Sequence, residues 1–480
     1  MSKREVVTRF APSPTGTLHI GGLRTALYSY LMAKVNGGKF ILRIEDTDRT
    51  RFVGEAVEDI TASLKWAGLE WDQGPIYQSE RLSLYKEHAD KLLGSGNAYR
   101  CFCSAERLAN LREQQKESKQ DIGYDRKCRN LSSEEITEKL AKNDAFTIRL
   151  KLPESGSIEV QDHVRGVISY DFRNLEDLVI VKTDGFPTYH LAHVVDDSLM
   201  NVSHVFRGTE WIPTSPMHAF MFDALGFPRI EYVHLPLILS PDGGKLSKRH
   251  GATSVKEFIS QGYTKEGLIN YLCLLGWSLD DKTENFTLED LEKVFDPKRI
   301  SKSAATFAYE KLNHFNNHYI KSYDDDLVFD LAIPHLLELA GEDRLEGDKD
   351  ILRSAVKLYK DRLINFAEVK DYLKFFYEDS MLPKVKEDFE LKKITPEGVL
   401  EGLKLAREIV LGLENWDLDS LNAAVKVKTK AAGLKMHHIF MPLRLAVTGT
   451  TQTPSIADIV ILLGRNKTSE RLTKAVELFG

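Results

Sequence analysis

This sequence has few cysteines, no long apolar run and no excess of positive charge. Only four cysteines occur in 480 residues, and three of them cluster between positions 101 and 128. No apolar run reaches the ~18 residues that a membrane-spanning helix needs. The formal net charge of −6 argues against a uniformly basic nucleic-acid coat. Local basic stripes such as Pro297–Lys302 and Lys426–Lys430 can still bind RNA, although each is also what a solvated face looks like.

The start of the sequence carries no targeting signal. Met1–Glu5 leads at once into the apolar strand Val6–Phe10, without an apolar signal region or an Arg/Ser-rich presequence. We therefore expect a cytoplasmic protein that does not associate with membranes. A composition of 42% hydrophobic and 28% charged residues is typical of a globular protein, and 480 residues predict several domains.

The clustered cysteines favour a metal site. Cys101, Cys103 and Cys128 lie close in sequence, and in a reducing compartment such a cluster indicates metal binding before disulfide formation. Three reduced thiols without a metal remain an alternative, and a redox switch is less favoured because no Cys-x-x-Cys is present. Cys273 lies within an apolar helical segment, so we interpret it as a packed core thiol.

The segment Pro12–Gly22 is a candidate phosphate site. It follows the strand Val6–Phe10 and runs into a helix predicted to start near Gly21. A helix N-terminus after a strand and a turn offers backbone N–H groups and the positive end of a dipole to an anion. His19 can donate to a phosphate oxygen, and the glycines allow a nucleotide to approach the backbone. Alone, such a segment is often only a turn.

A second basic segment, Lys245–Arg249, follows the turn Pro241–Gly244. Alone, it is what a solvated basic loop looks like. Its order and separation from Pro12–Gly22 are more specific. Together the two segments resemble the HIGH and KMSKS motifs of class I aminoacyl-tRNA synthetases, which place both at one nucleotide site.

The hydrophobic pattern predicts an α/β protein with a helical C-terminal part. Up to about residue 100, and again from Asp177, strands alternate with helices as in a parallel sheet. Strands are predicted at Lys39–Ile44, Phe146–Leu150, Asp177–Val181 and Leu235–Leu239. Helices are predicted at Glu55–Ala67, Leu82–Leu93, Glu106–Lys119, Thr214–Leu225, Leu327–Leu339, Ile351–Phe366, Val369–Tyr377, Pro396–Leu413, Leu421–Ala431 and Arg471–Leu478.

Further segments narrow the resemblance to glutamyl-tRNA synthetases of the bacterial type. These are Arg43–Asp48, Thr188–Asp197 and Arg207–Trp211. The resemblance is dense in the first half of the chain and looser in the helical part. The fourth position of the first motif is Gly22 where the general motif has histidine, a form that is common in this family.

The resemblance implies an architecture. We expect a Rossmann-type class I catalytic domain that is split by an insertion and followed by helical stem-contact and all-α anticodon-binding domains. The expected bounds are 1–100 and 188–250 for the two catalytic halves, 101–187 for the acceptor-stem-binding insertion, 251–325 for the stem-contact domain and 326–480 for the anticodon-binding domain. A monomer is the family expectation.

The resemblance also implies an activity, the ATP-dependent formation of glutamyl-adenylate and its transfer to the terminal ribose hydroxyl of tRNA(Glu). A pocket for glutamate needs an anion for its ammonium and arginines for its carboxylates. The resemblance assigns this pocket to Arg9, Ser13, Glu45, Tyr189 and Arg207, with Arg9 and Tyr189 on the side-chain carboxylate and Glu45 on the ammonium. For Glu45 and Arg207, a surface salt bridge is the alternative.

For ATP, the resemblance implies that phosphates bind at His19 and near Gly21. We expect Mg²⁺ to be held mainly by the ATP phosphates. Lys248 would stabilise the charge that develops on departing pyrophosphate, on a loop hinged at Gly243 and Gly244. The full set of expected ATP-binding and catalytic residues is Thr17, His19, Gly21, Gly22, Lys245 and Lys248.

The cysteine cluster resembles the zinc element found in the insertion of some family members. Cys101, Cys103 and Cys128 would be three ligands of one structural Zn²⁺. Tyr124 is the best candidate for the fourth ligand, because the Cys-x-His of some relatives is replaced by Cys128-Arg129-Asn130. In the helical part, Arg362 is the candidate for a residue that reads the anticodon.

Three other kinds of protein share part of this resemblance. A glutaminyl-tRNA synthetase would carry a β-rich anticodon part, whereas the sequence after Tyr323 predicts helices. A short paralogue that glutamylates a modified tRNA base would lack that part. A non-catalytic RNA-binding paralogue would have no need of Arg9, His19, Glu45 and Lys248 together.

Overall fold

The computed structural model describes residues 4–48, 53–244, 246, 249 and 251–479. The chain divides into two compact units. The first comprises the chain up to Phe258 together with Leu268–Leu312, and the second comprises Ile259–Gly267 and the chain from Asn313 onward.

All strands of the described residues lie in the first unit. Their bounds are β1 Val7–Phe10, β2 Lys39–Ile44, β3 Gln73–Tyr77, β4 Ala98–Cys101, β5 Thr147–Leu150, β6 Ser157–Asp162, β7 Gly166–Asp171, β8 Val179–Val181, β9 His204–Gly208, β10 Glu231–Leu235, β11 Ile238–Leu239 and β12 Ala305–Thr306.

The helices of the first part of the chain alternate with these strands. Their bounds are α1 Ile20–Val35, α2 Gly54–Trp66, α3 Leu82–Gly94, α4 Ala105–Glu117, α5 Ser133–Ala141, α6 Tyr189–Leu199, α7 Ser215–Ala224, α8 Val255–Ser260, α9 Lys265–Leu274, α10 Leu288–Val294 and α11 Tyr309–Ser322. The later helices are α12 Asp325–Ala340, α13 Glu342–Gly347, α14 Lys349–Tyr359, α15 Val369–Leu373, α16 Pro396–Gly412, α17 Leu418–Ala431, α18 His437–Thr448, α19 Ile456–Leu463 and α20 Arg465–Glu477.

Two sets of parallel strands, β1–β2–β3 and β6–β10–β9, lie side by side and form a sheet in two halves at the centre of the first unit. β1 pairs with β2 and β2 with β3, all parallel. β10 pairs in parallel with both β9 and β6. The backbone N–H of Ser203 donates to the carbonyl of Val7 at 2.8 Å, which brings β1 beside β9. The strand order reverses between β1 and β9, and such a point is where open α/β sheets bind ligands.

The chain between the two halves of this sheet forms antiparallel structure. β5 lies between β4 and β8 in a three-stranded antiparallel sheet. β6 and β7 form a hairpin, and β6 also joins the parallel sheet through β10. The segment therefore contributes one strand, β6, directly to the sheet that carries the ligand site.

The second unit is helical throughout its described residues. Its core is formed by apolar faces of α12, α14, α16, α18, α19 and α20, with fully buried residues such as Val328, Leu352, Leu403 and Leu472. Pro396 begins α16 at its first turn, and the side chain of Thr395 caps that helix, a combination suited to a helix start. Among the helices of the described ranges, none combines the length and the hydrophobicity needed to cross a bilayer.

Most predicted helices and strands are confirmed within two residues, but five segments differ. The helix predicted over Val369–Tyr377 ends at Leu373, where Lys374–Phe376 tighten into a 3₁₀ turn, and the helix predicted from Leu421 begins three residues earlier, at Leu418. The strand predicted at Leu235–Leu239 is instead β10 at Glu231–Leu235 followed by the short β11. The helix predicted over Ile351–Phe366 ends at Tyr359, because Lys360–Arg362 tighten into a 3₁₀ turn and Leu363 is extended. The last helix begins at Arg465, six residues before the predicted start.

Candidate functional site

A cavity of about 580 Å³ opens at the carboxyl ends of the parallel strands in the first unit. Eight of the residues predicted from the sequence line it: Arg9, Ser13, His19, Gly21, Gly22, Glu45, Tyr189 and Arg207. These residues come from β1, from the loops after β1 and β2, and from α1, α6 and β9. The fold therefore brings together residues that lie up to 198 positions apart in the sequence.

His19 is the N-cap of α1, at the edge of the cavity. Its Nδ1 accepts a hydrogen bond from the backbone N–H of Gly21 at 3.0 Å. A neutral imidazole that accepts at Nδ1 carries its proton on Nε2, so His19 presents an N–H donor. This donor lies beside the positive end of the α1 dipole, which suits an anion such as a phosphate.

Arg9 is a buried cation with a carboxylate partner. Its Nε lies 3.3 Å from both carboxylate oxygens of Asp197, and its NH1 donates to the carbonyl of Phe206 at 3.4 Å. Only 4% of Arg9 is exposed. Arg9 also lines the cavity, so the part of its guanidinium that Asp197 does not bind can take a second carboxylate.

Arg43 connects this ion pair to Glu45. It is fully buried, with NH1 2.5 Å from Asp197 and NH2 3.2 Å from Glu45. Burial raises the pKa of Glu45, although Arg43 and Arg9 act in the opposite direction. A buried carboxyl with a raised pKa lacks full compensation of its charge, and an ammonium group in the cavity would supply it.

Arg207 is buried as well but has no carboxylate partner among the described residues. Its Nε donates to Nε2 of His234 at 3.0 Å, and its NH1 lies 3.2 Å from Nδ1 of His218 and 3.3 Å from the hydroxyl of Tyr189. The guanidinium also stacks 4.3 Å from the ring centroid of Tyr232. A buried charge whose side-chain partners are all neutral is costly, so this site favours an anionic ligand.

The histidines around Arg207 are uncharged at neutral pH. Burial lowers the pKa of His190 to about 4 and that of His193 to about 3. Burial, together with the neighbouring His193 and Arg207, holds the pKa of His218 well below its usual range. The cluster therefore adds no positive charge of its own, and among the described residues that line this pocket the cations are arginines.

The other residues predicted to bind ATP do not all lie at the cavity. Thr17 lies in an exposed bend before α1 and does not line the cavity. Lys245 and Lys248 lie outside the described residues. Leu246, between them, is buried and lines the cavity, and it is the residue of the KMSKS-like segment that the structure describes at the site.

Arg362 lies in the second unit, in the 3₁₀ turn that follows α14. The electrostatic field of Arg362 lowers the pKa of Arg444 further, after the larger effect of burial. The two arginines therefore lie near one another on this unit.

The cysteine cluster forms a second site with the geometry of a tetrahedral ion site. The sulfurs of Cys101, Cys103 and Cys128 lie within 4.8 Å of one another, with Cys103 and Cys128 3.5 Å apart. The hydroxyl oxygen of Tyr124 is 3.2 Å from Cys101 Sγ and 3.6 Å from Cys103 Sγ. Ligands 2.3 Å from one tetrahedral ion would be roughly 3.8 Å apart. The distances between these side chains are slightly shorter than, but close to, those between the ligands of one tetrahedral ion.

A further group with metal-binding atoms lies at the amino ends of the parallel strands. His163, His204 and Glu231 have ligand atoms within 4.8 Å of one another, beside a cavity of about 560 Å³. Nε2 of His163 is hydrogen-bonded to Glu231 at 2.6 Å. This hydrogen bond accounts for the arrangement without an ion.

Several residues at the site were not predicted from the sequence. Arg43 and Asp197 lie within the segments that carried the resemblance, but no role was assigned to them. Asp162 and His234 gave no signal at all, because neither lies in a recognisable motif. Their part in the site depends on strand pairing, which brings β6 and β9 to either side of β10.

Comparison with protein-family models gives two matches. Residues 5–314 match "tRNA synthetases class I (E and Q), catalytic domain", and residues 328–476 match "Anticodon binding domain".

Full-length relatives agree with these models. The chain is 42% identical to a glutamate–tRNA ligase of Alkaliphilus metalliredigens, covering 97% of this chain and 98% of that protein. It is 40% identical to a glutamate–tRNA ligase of Treponema denticola, over 98% and 99% of the two chains. The crystal structure of a glutamate tRNA ligase from Elizabethkingia meningosepticum in complex with its amino acid superposes with a TM-score of 0.87, at 33% identity and full coverage of both chains.

Proposed function

We propose that this chain, which belongs to the class I tRNA synthetases of the E and Q family, is a glutamate–tRNA ligase. It attaches L-glutamate to tRNA(Glu) in two steps, formation of glutamyl-adenylate from ATP and transfer to the terminal ribose hydroxyl. The observation that carries the proposal is the charge pattern of the cavity. Two buried arginines and one buried carboxyl, Arg9, Arg207 and Glu45, match the two carboxylates and the ammonium of glutamate.

Glutamate binds between the arginines. Arg9, with Tyr189, takes the side-chain carboxylate, Arg207 is the second carboxylate clamp, and Glu45 holds the ammonium with Ser13 assisting. Burial raises the pKa of Tyr189, so its phenol keeps the proton that it donates. At the side-chain position glutamine offers a neutral amide, whose single oxygen is a weaker acceptor for Arg9 than a carboxylate and whose NH₂ group would meet the guanidinium donors. The pocket therefore favours glutamate over glutamine.

ATP binds beside glutamate, at the start of α1. His19 donates from Nε2 to a phosphate oxygen, and Gly21 and Gly22 let the nucleotide approach the helix N-terminus. A β-carbon built on Gly21 would be in van der Waals contact only with His19, 3.4 Å from its Nδ1, whereas one built on Gly22 would lie 2.9 Å from Leu18 Cδ1. Mg²⁺ would accompany ATP, held mainly by its phosphates, and would neutralise part of their charge.

The chemistry needs no protein nucleophile. An oxygen of the α-carboxylate attacks the α-phosphorus, and pyrophosphate leaves. A ribose hydroxyl of tRNA then attacks the adenylate carbonyl, and AMP leaves. Lys248, with Lys245, stabilises the charge on departing pyrophosphate. The burial of the intervening Leu246 at the cavity supports this placement.

The helical second unit favours this ligase over a glutaminyl-tRNA synthetase. From Asn313 onward, the described residues contain helices and no strand. This is the architecture expected for the anticodon-binding part of glutamate enzymes. Arg362 is the proposed anticodon contact in this unit.

The cysteine cluster is the proposed site of one structural zinc ion. Cys101, Cys103, Cys128 and Tyr124 would be its ligands, and their mutual distances support the assignment. Two arginines lie close, with Arg107 3.4 Å from Cys103 Sγ and Arg149 stacked 3.9 Å from the Tyr124 ring. A bound zinc ion would hold the loop between β4 and α5 in place.

Aminoacylation with purified tRNAs tests the proposal. The protein should charge tRNA(Glu) with glutamate and should not charge it with glutamine. ATP–pyrophosphate exchange must be measured with tRNA present, because enzymes of this family usually activate the amino acid only with tRNA bound. A protein that binds tRNA but shows no exchange would be a non-catalytic paralogue. Charging with glutamine instead of glutamate would identify the rival synthetase.

A further inference from the structure

The hydrogen bonds of Arg207 determine where the protons of two histidines lie. A guanidinium only donates hydrogen bonds, so each imidazole that faces it must present a lone pair. His234 accepts at Nε2 and therefore carries its proton on Nδ1. His218 accepts at Nδ1, and its Nε2–H donates to Nδ1 of His190 at 3.0 Å. Both imidazoles are fully buried, so no bulk water can replace these bonds.

Behind His234 lies Asp162, on the side away from Arg207. Its Oδ2 accepts the Nδ1–H of His234 at 2.5 Å and the backbone N–H of the same residue at 3.3 Å. Its Oδ1 accepts the backbone N–H groups of Val164 and Arg165 at 2.8 and 2.7 Å. Burial by itself raises the pKa of Asp162, but the hydrogen bonds from His234 and the backbone outweigh it and hold that pKa below the usual range. Asp162 is thus a carboxylate that accepts from Nδ1.

The three side chains form a row across adjacent strands. Asp162 ends β6, His234 is in the central strand β10, and Arg207 is paired with His234 in the register of β9. Asp162 is the carboxylate of this row, and His234 separates it from Arg207. The inserted segment between the two halves of the catalytic sheet therefore supplies one member of the row.

We propose that Asp162 is a positioning residue for the glutamate pocket, which acts by keeping the proton of His234 on Nδ1. With this tautomer, Nε2 accepts from Arg207 and holds the guanidinium in the orientation that binds a carboxylate. With the other tautomer, the Nε2–H of His234 would face the Nε–H of Arg207. Two donors would then meet without an acceptor between them. The identity of the ligand in this inference rests on the function proposed above.

The substitution Asp162→Asn should change the tautomer of His234 while keeping the hydrogen bonds that stabilise the turn after β6. The asparagine oxygen can still accept from Val164 and Arg165, so the loop after β6 keeps its hydrogen bonds. Its amide nitrogen would donate to Nδ1 of His234 and move the proton to Nε2, against Arg207. The bond from the backbone N–H of residue 234 to Oδ2 is lost too, but this loss is the same in a His234→Gln background. We expect the KM for glutamate to rise roughly 10- to 100-fold, with a much smaller change in kcat and in the KM for ATP.

The substitution His234→Gln provides the internal rescue. Its amide oxygen can accept from Arg207 without any tautomer to be set. Asp162→Asn should therefore raise the glutamate KM much less in the His234→Gln background than in the wild type. Such coupling in a double-mutant cycle is not expected if Asp162 only stabilises its own turn. Equal effects of Asp162→Asn in both backgrounds, or no effect in either, would overturn the proposal.

Two further variants serve as a control and as a replacement for Asp162→Asn. Asp171→Asn is the matched control, because Asp171 ends the partner strand β7 and contacts Arg173 rather than His234. It should leave the glutamate KM unchanged.

If Asp162→Asn does not fold, His234→Gln and His234→Phe are compared, since the first keeps an acceptor for Arg207 and the second does not. Only His234→Phe should raise the KM, and equal values would overturn the proposal. A wild-type protein that does not charge glutamate would instead refute the proposed function.

Discussion

Arg9 and Arg207 lie near the ends of the neighbouring strands β1 and β9, but only Arg9 is paired with a carboxylate. Arg9 contacts Asp197 at 3.3 Å, whereas the side chains that contact Arg207 among the described residues are neutral. The two arginines therefore differ in what they need from a ligand. Arg9 is already compensated in the empty pocket, and Arg207 gains a counter-charge when a carboxylate binds.

The first prediction follows from this difference. Arg207→Gln should not lower the free energy of unfolding of the ligand-free protein, because it removes a buried charge without a carboxylate partner. Arg43→Gln, by contrast, leaves Asp197 and Glu45 uncompensated and should cost about 3–5 kcal/mol. Glutamate at 100 times its Kd should stabilise the wild type by about 2.7 kcal/mol, and this effect should be lost in Arg207→Gln. Denaturant unfolding with and without glutamate measures both quantities. Equal destabilisation by the two substitutions would contradict the interpretation.

The second prediction concerns Arg9. Arg9→Ala removes a charge-assisted contact to the substrate carboxylate and should cost on the order of 2–4 kcal/mol in kcat/KM for glutamate. Arg9→Lys keeps the charge without the two-pronged donor and should lie between the wild type and Arg9→Ala. Steady-state charging of tRNA at varied glutamate concentration provides the comparison. Near wild-type efficiency of Arg9→Ala would show that Arg9 does not bind the substrate.

The third prediction concerns pH. A histidine whose pKa is lower in the folded than in the unfolded chain stabilises the fold above pH 6.5 and loses that contribution as the pH falls toward its folded value. The folded pKa of His190 is about 4. As the pH falls from 6.5 to 4, protonation of this histidine should therefore lower the free energy of unfolding by at most about 1.4 kcal/mol for each pH unit. Urea unfolding of the wild type and of His190→Gln at several pH values isolates this contribution. Parallel pH profiles of the two proteins would argue against it.

The fourth prediction concerns the metal. Purified protein should contain close to one zinc ion per chain, and the Cys101→Ser/Cys103→Ser double variant should contain none. Cys273→Ala is the control, because this buried cysteine lies in α9, away from the cluster, and should not affect zinc content. Because the inserted segment is expected to contact the acceptor end of tRNA, the double variant should lose charging activity more than it loses folded structure. Metal-free protein prepared without chelators would remove the zinc proposal and leave the ligase proposal intact.

The fifth prediction concerns Lys248. Its contact should be stronger in the transition state than in the ground state, because the pyrophosphate charge develops during the reaction. Lys248→Ala should therefore lower the rate of adenylate formation by orders of magnitude and change the affinities for tRNA and glutamate much less. ATP–pyrophosphate exchange in the presence of tRNA, together with equilibrium binding, measures these effects. A variant that loses only ATP affinity would keep the function and reject this role.

The sequence alone predicted the parts of this protein that depend on local patterns. The strand–turn–helix unit around Pro12–Gly22, the alternation of strands and helices and the helical second half follow from hydrophobic periodicity and from Pro and Gly positions. The residues of the recognisable segments, including Arg9, Glu45 and Arg207, were predicted as one site, and the structure places them around one cavity. The cysteine cluster was likewise visible, because its ligands lie within 28 consecutive residues.

Only the tertiary structure decided how these residues are charged and held. The bond between Asp162 and His234 joins residues 72 positions apart, and it exists because β6 pairs with β10. The strand at Leu235–Leu239 was misplaced for a related reason, since β10 contains the polar residue His234, which looks too hydrophilic for a buried strand until its partners are known. Hydrophobic periodicity reports which face of an element is buried, but it carries no information about which strands become neighbours. The partners of buried charges depend on that strand order, and so does the difference between Arg9 and Arg207.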